Sequence, residues 1–193
     1  MKVLETFFLI KPDAIFRHID GDVIERIKSK GFVILNSIKY RLTPKDVIEL
    51  YDAYTLANFP KKYRIMKSKL LVSYITSGEI SVLFVLLNKL PLNCSSVFEY
   101  AREIQGFDYY PIKCQIGSIR YDFREVNANH KPIIIEKIPG FGDVAGEIIY
   151  NLLHTPSDSY EYEYQKKILL KIYSRAIIGE QSNAKKNLIK PSA

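Results

Sequence analysis

Thr6-Phe7-Phe8-Leu9-Ile10-Lys11-Pro12-Asp13 is the stretch on which the architecture turns. Its apolar run is short and closes at a proline, which cannot donate to a β-ladder. It therefore reads as a buried strand with Lys11 at its exit. Asp20-Gly21-Asp22 opens a helix whose apolar positions are Val23, Ile24 and Ile27, with Gly31 as its stop. Phe32 to Ile38 follows as a second strand. The chain thus begins strand, helix, strand, with a short connection from helix to strand.

The same logic extends outward. Thr43-Pro44-Lys45-Asp46 is a helix start, with threonine as cap and proline at the first helical position. Val47, Ile48, Leu50 and Tyr51 form a stripe to about Leu56, and Asn58-Phe59-Pro60 breaks it. A second helix from about Lys61 to Ile75 carries Tyr63, Met66, Leu70 and Leu71, so the two predict a helical hairpin protruding from a sheet. Ile80 to Leu87, the most apolar run, reads as a central strand. Asn93 to Ile104 reads as a helix capped by Asn93 or Ser95, and Gly106 to Gly117 as a long loop of the kind that is usually functional or disordered.

Residues 124–147 hold Pro132, Pro139, Gly140 and Gly142 around one strand-like run, Ile133-Ile134-Ile135. Ile148 to Leu153 then delivers His154 to a polar turn, Thr155-Pro156-Ser157-Asp158-Ser159, which can cap a helix from Asp158 to about Tyr173. Ile168, Leu169 and Ile172 are its inward positions. The element order predicts an α+β fold: a ferredoxin-like split β-α-β sandwich, with helices on a four-stranded antiparallel sheet and the helical hairpin attached. In that arrangement the first strand and the histidine strand lie close, so that Lys11 and His154 share a cleft. The reading is one domain over 1–178, with 179–193 as a basic, disordered tail.

The 193 residues are 47% hydrophobic and 25% charged, enough for one sizeable core. No apolar run approaches the roughly 20 residues of a membrane span. The N-terminus has no signal-peptide pattern, and Cys94 and Cys114 show neither metal spacing nor a disulfide framework, so a cytoplasmic setting is expected. The net charge of +7 leaves three explanations open: nucleic acid, an anionic surface, or a phosphate-rich small ligand. Basic residues gather at Lys61, Lys62, Arg64, Lys67 and Lys69 and again at Lys185, Lys186 and Lys190, which a solvated face and a frayed end also explain. No recognised nucleic-acid motif accompanies them, so nucleic acid is at most a secondary partner.

Lys11, Tyr51, Phe59, Arg102, Arg120, Asn151 and His154 form the candidate constellation. Singly, each has an ordinary explanation. Lys11 can be a strand-end lysine, Arg120 can pair with Asp122, and Tyr51 and Phe59 can be core residues of the hairpin. Jointly they are what a nucleotide site uses. Cations neutralise phosphate oxygens, arginine in bidentate fashion. Aromatic rings stack on a base. A neutral histidine nitrogen can take a phosphoryl group and return it, splitting one transfer into two steps.

Phe8-Leu9-Ile10-Lys11-Pro12-Asp13-Ala14, followed by Gly21-Asp22-Val23-Ile24 and Lys30-Gly31-Phe32, resembles the opening of a nucleoside diphosphate kinase. Gly117-Ser118-Ile119-Arg120-Tyr121-Asp122-Phe123 resembles that family's Gly-Thr-Ile-Arg-Gly-Asp-Phe. Asn151-Leu152-Leu153-His154 with Ser157-Asp158-Ser159 resembles its histidine signature, Asn-x-x-His-x-Ser-Asp-Ser. The three fall in the family's order between about Thr6 and Ile172. The resemblance implies that His154 is the phosphorylated nucleophile of a ping-pong kinase. It implies that Lys11, Arg102, Arg120 and Asn151 hold phosphates and sugar, that Tyr51 positions the nucleophile, and that Phe59 lies against the base. It also implies nucleoside tri- and diphosphates as substrates, Mg2+ bound through their phosphates rather than in a protein cage, and a homo-oligomer, hexamer or tetramer.

The sequence departs from the pattern in four places. Thr155-Pro156 stands where the family has one residue, displacing its serine to Ser157. The family's glutamate, which hydrogen-bonds the histidine, falls on Lys166 counting from Ser-Asp-Ser and on Gln165 counting from His154, with Glu161 or Glu163 as substitutes if the helix is shifted. Asp108 stands near the phosphate-loop threonine, where an acid would repel phosphate. The insertion at 124–147 is long, and covering the cleft or extending a subunit contact are the two roles expected of it. Two functions follow: an active kinase with a retuned site, or a nucleotide-binding homologue with weakened transfer acting as a binding or regulatory module.

Overall fold

A computed structural model describes residues 4–51, 69–108, 110–125, 133–138, 142–146 and 150–188, with the backbone alone for 133–138, 142–146 and 176–188. Four strands make the main sheet, in the order β2-β3-β1-β6, all neighbours antiparallel. They are β1 (Glu5–Ile10), β2 (Phe32–Tyr40), β3 (Ile80–Leu87) and β6 (Leu153–His154). This is the expected ferredoxin-like α+β sheet, with the first strand beside the histidine strand.

Phe7, Phe8, Leu9 and Ile10 are all fully buried, because both faces of β1 are covered. On one face Phe8 meets Phe32 edge-on at 5.3 Å, and Phe32 stacks on Tyr100 of α4 (Val97–Gln105). On the other, Phe7 stacks on Tyr162 of α6 (Ser159–Leu188). The helix α2 (Asp20–Ser29) packs on β2, and α3 (Pro44–Tyr51) packs on α6.

Capping chemistry sets the helix starts. Thr43 and Asp46 cap α3 reciprocally: the Asp46 amide donates to Thr43 Oγ1 at 3.3 Å, and Asp46 Oδ2 accepts from the Thr43 amide at 3.0 Å. Ser96 caps α4 by accepting from the Glu99 amide at 3.1 Å, while the Glu99 carboxylate is taken up by Ser95. The helix therefore starts later than the expected Asn93, and neither Asn93 nor Ser95 is its cap. A short helix after β1, α1 (Pro12–Phe16), is an addition to the expected order, with its proline at the first position.

Three further differences concern later segments of the chain. The long loop after α4 contains a 3-10 turn, Pro111–Lys113, and a short helix, α5 (Ile119–Asp122), which carries Arg120. Within the insertion, β4 (Ile133–Ile138) and β5 (Gly142–Gly146) pair as a two-stranded antiparallel sheet. The final helix α6 runs on to Leu188, through most of the stretch expected to be a disordered tail. Gly179 costs it about 1 kcal/mol against alanine, but Glu180, Gln181, Ala184, Lys185 and Lys186 favour helix, and no proline intervenes before Pro191. The second helix of the expected hairpin is represented by a helical segment at 69–75, and Phe59, Tyr63 and Met66 lie outside the described residues.

Candidate active site

The site forms where β6 joins β1. Leu9 pairs with His154 and Ile10 with Leu153. The contact is fastened on both sides: the Lys11 amide donates to the Leu152 carbonyl at 2.8 Å, and Thr155 Oγ1 donates to the Phe7 carbonyl at 2.9 Å. Of the described residues 150–153 that lead into His154, Leu153 alone is strand. Leu152 turns the chain with φ +66°, and the Leu153 amide donates back to the Asn151 carbonyl at 2.7 Å. That is a tight γ-turn on a bulky residue, a strained conformation that surrounding structure must hold. Asp13 supplies the hold. One of its oxygens accepts the Leu152 amide at 3.1 Å and the other accepts the Tyr74 hydroxyl. The turn presents Asn151 and His154 to the same place.

Behind His154, α6 supplies two polar residues. Nε2 of the ring lies 2.9 Å from Gln165 Oε1. The Gln165 amide nitrogen donates to Glu161 Oε1 at 3.1 Å and to the Leu50 carbonyl at 3.3 Å. Both of those partners are acceptors, so the amide's nitrogen must face them and its oxygen must face the ring. The ring then donates from Nε2, and Nδ1 is left with its lone pair. Among the described residues Nδ1 makes no hydrogen bond, and the side chain keeps 16% of its surface exposed, enough for a ligand to reach it. Burial lowers the His154 pKa to about 4, with Lys11 and Arg120 lowering it further and Glu161 and Gln165 working the other way. The imidazole is therefore neutral at physiological pH.

In front of it lie two buried cations. Lys11 donates to Asn151 Oδ1 at 2.5 Å and sits 5.6 Å over the Tyr74 ring. Burial, then the Arg120 charge, lower its pKa to about 7, against a smaller opposing pull from Asp13. Arg120 donates Nε–H to the Asn151 carbonyl (3.2 Å), Nη1–H to the carbonyls of Gly106 (3.1 Å) and Asp108 (2.8 Å), and Nη2–H to that of Leu153 (3.0 Å). Asp122, the partner that the ordinary explanation of Arg120 would use, is bound instead to Arg26 at 2.7 Å. Gly106 can stand so close only as glycine: its φ is +104°, and a Cβ would lie 2.7 Å from Cys114 Sγ. The Asp108 side chain accepts the Tyr110 amide at 2.8 Å, so part of the acid expected to repel phosphate is engaged in its own loop.

Lys11, Arg120, Asn151 and His154 thus come together, and the Tyr51 ring joins them at 5.4 Å from the imidazole. Arg102 stands apart, with its guanidinium 5.3 Å over the Phe107 ring and no hydrogen bond to this group among the described residues. Phe59 lies outside the described residues. Asp13 and Tyr74, which clamp the turn, were not foreseen; the Asp13 contact spans 139 residues and leaves no local pattern. Gln165 is the position reached by counting from His154. Glu161, one helical turn before it, is the acid that points inward, and Glu163 is exposed.

A nucleoside diphosphate kinase family profile matches residues 5–133. A nucleoside diphosphate kinase from Campylobacter hominis is 30% identical over 126 residues, covering 65% of this chain and 80% of its own. One from Saccharolobus islandicus is 28% identical over 141 residues, 71% of this chain and 90% of its own. Among solved structures, a transition state mimic of the Borrelia burgdorferi enzyme with vanadate and ADP superposes with a TM-score of 0.62 at 18% identity, covering 85% of this chain and 84% of the other. The Halobacterium salinarum enzyme in complex with CDP gives 0.59 at 20% identity, with 85% of each chain covered. Those two likenesses concern the fold. The profile covers well over half of the chain, and with it the chain belongs to the nucleoside diphosphate kinase family of phosphotransferases.

Proposed function

We propose that this protein moves the terminal phosphate of a nucleoside triphosphate to a nucleoside diphosphate by a ping-pong reaction through phosphorylated His154. The observation that carries the reading is the neutral imidazole with Nε2–H engaged by Gln165 and Nδ1 open beside two buried cations. In the first half-reaction the Nδ1 lone pair forms a bond to the terminal phosphorus. The bond from phosphorus to the bridging oxygen breaks, and its electron pair leaves with the diphosphate. No proton moves; the ring keeps Nε2–H and becomes positive. The second half-reaction is the reverse, with another diphosphate as acceptor. Such a transfer needs alignment and charge stabilisation more than covalent machinery.

Lys11 supplies the movable charge against the transferring phosphoryl group, and Asn151 orients it. Arg120 contributes a fixed positive charge and frames the turn that holds His154. Tyr51 limits the ring's rotation. Arg102 and Phe59 are assigned by resemblance to the phosphates and the base. Among the described residues no three His, Cys, Asp or Glu side chains gather into a metal site. Magnesium is assigned by resemblance to the substrate, entering as the magnesium complex of the nucleotide. A cytoplasmic setting is the reading that the free, buried Cys94 and Cys114 support. No described helix is long and apolar enough to cross a membrane.

Assembly into a homo-oligomer, hexamer or tetramer, is supported by β2. It is an edge strand with Val33 44% and Leu35 54% exposed, apolar surface that a lone subunit leaves in water. Light scattering on the purified protein is expected to give four or six subunits, and a monomer would exclude the assembly. The transfer reading is tested by incubation with magnesium and ATP labelled on the terminal phosphate. An acid-labile label on wild type, absent from His154→Ala and discharged by GDP or UDP, is expected. Bound nucleotide without label would instead favour a binding module that has lost transfer.

A further inference from the structure

Gln165 alone is a neutral partner for a ring that becomes positive during transfer. An amide oxygen fixes the tautomer but brings no charge. Glu161 brings one. Its Oε1 accepts from Gln165 and lies 3.7 Å from His154 Nε2, and its side chain is only 6% exposed. Its other oxygen is held by Ser157, which donates both its amide and its hydroxyl at 2.7 Å. The Glu161 amide in turn donates to Asp158 Oδ1 at 2.8 Å. A buried carboxylate is thus fixed on three sides and aimed at the back of the imidazole, with no cation bonded to it among the described residues. The chain of contacts runs Ser157, Glu161, Gln165, His154. The Leu50 carbonyl explains the amide at 165: it needs a donor there, which a carboxylate cannot be.

We propose that Glu161 and Gln165 act as a divided positioning pair for His154, in which Gln165 holds the ring with Nε2 protonated and Glu161 supplies, through it, the negative charge that stabilises the ring as Nδ1 takes the phosphoryl group. The proposal rests on the transfer reading above for its kinetic part. The other charged groups facing the ring are Lys11 and Arg120, both positive, so Glu161 is the sole described acid whose charge opposes theirs at the ring. During the step, the N–P bond forms from the Nδ1 pair, the P–O bond to the leaving diphosphate breaks, and Nε2 keeps its proton. The developing charge therefore falls where Glu161 lies.

The test combines single-turnover labelling by magnesium ATP, ADP affinity, and 15N resonances of His154, on the full chain. Glu161→Gln is expected to slow labelling about tenfold to a hundredfold, the range for outer partners of a functional histidine, with ADP affinity unchanged. Gln165→Leu is expected to abolish the Nε2–H tautomer preference seen in wild type. The exchange variant E161Q/Q165E returns a carboxylate directly to Nε2 and is expected to recover most of the rate lost in Glu161→Gln, short of wild type because the Leu50 carbonyl loses its donor. Labelling by Glu161→Gln at the wild-type rate, a parallel loss of ADP affinity, or an exchange variant no faster than Glu161→Gln would each overturn the proposal. Wild type that takes no label would sink the transfer reading instead. The tautomer measurement would then still decide whether the pair holds the ring.

Discussion

Lys11 and Arg120 are both buried cations beside His154, and the fold treats them in opposite ways. Arg120 is held by four hydrogen bonds to main-chain carbonyls from two segments: Gly106 and Asp108 in the loop after α4, and Asn151 and Leu153 in the turn before His154. Lys11 has one hydrogen bond among the described residues, to Asn151, and its pKa is depressed to about 7. A planar fork with several donors can satisfy buried carbonyls that would otherwise lack partners, and a guanidinium keeps its charge while doing so. An ammonium with donors left over is strained by burial and relieved by an arriving anion. On the function proposed above, one cation is therefore chiefly scaffold, and the other chiefly a ligand group.

The larger effect of losing either cation is expected at Arg120. Arg120→Ala removes a donor from four main-chain carbonyls at once; Asn151 keeps the Leu153 amide and Asp108 the Cys114 thiol, while Gly106 and Leu153 lose the guanidinium that binds them. With about 1–3 kcal/mol for each unsatisfied buried group, and water replacing some, a loss on the order of 4 kcal/mol in stability is expected. Denaturant melts would register it as a lower midpoint. A loss under about 1 kcal/mol would mean that the arginine is not the frame of the site. Gly106→Ala attacks the same frame from the other side. The φ of +104° and the contact of the new Cβ with Cys114 predict about 2–3 kcal/mol of destabilisation, part backbone strain and part displacement of the carbonyl that Arg120 binds.

Lys11→Met is the counterpart. It removes a charge whose burial is unfavourable, so stability is expected to stay level or rise, while ADP affinity falls about tenfold to a hundredfold, the weight of a charge-assisted contact. Calorimetric titration and a melt on the same preparation separate the two. A variant that melts much earlier with unchanged affinity would exchange the roles given to the two cations.

These different roles also explain what could be read from the chain. Lys11 and His154 were legible as neighbours because each ends an apolar run next to a turn former, and apolar runs report strands. The inward register of α6 was legible in part: Ile168, Leu169 and Ile172 were read as inward, while the choice between Glu161 and Glu163 stayed open until the burial of Glu161 and Gln165 extended that register to the start of the helix. What Arg120 does was not legible, because its partners are main-chain carbonyls and carry no side-chain signature. The clamp of Asp13 on Leu152, and the strained turn it holds, depend on contacts across the whole chain. The hairpin formed by the insertion showed one of its strands, the isoleucine run, while Gly142–Gly146 has too few β-branched residues to announce the other.

The smallest effect expected is a pH dependence, and it sharpens the contrast most finely. Lys11 in the free protein titrates near pH 7, whereas Arg120 does not titrate at any accessible pH. A bound polyphosphate favours the charged ammonium and so raises the Lys11 pKa. Binding then takes up a proton wherever the free lysine is neutral and the bound one charged, that is, above about pH 7 and below the raised value. Affinity is full below pH 7 and falls as pH rises through that window, by about tenfold per unit once Lys11 is mostly neutral. Between pH 6 and pH 8 a loss of about tenfold in ADP affinity is expected from this group, on top of any titration of the nucleotide itself. Lys11→Met isolates it: the variant binds weakly but keeps only the nucleotide's own pH dependence. His154, with its pKa near 4, contributes nothing to this window. Wild-type and variant profiles of the same slope would mean that Lys11 is charged throughout, held by a partner other than the ligand, and the division between scaffold and ligand cation would fall with it.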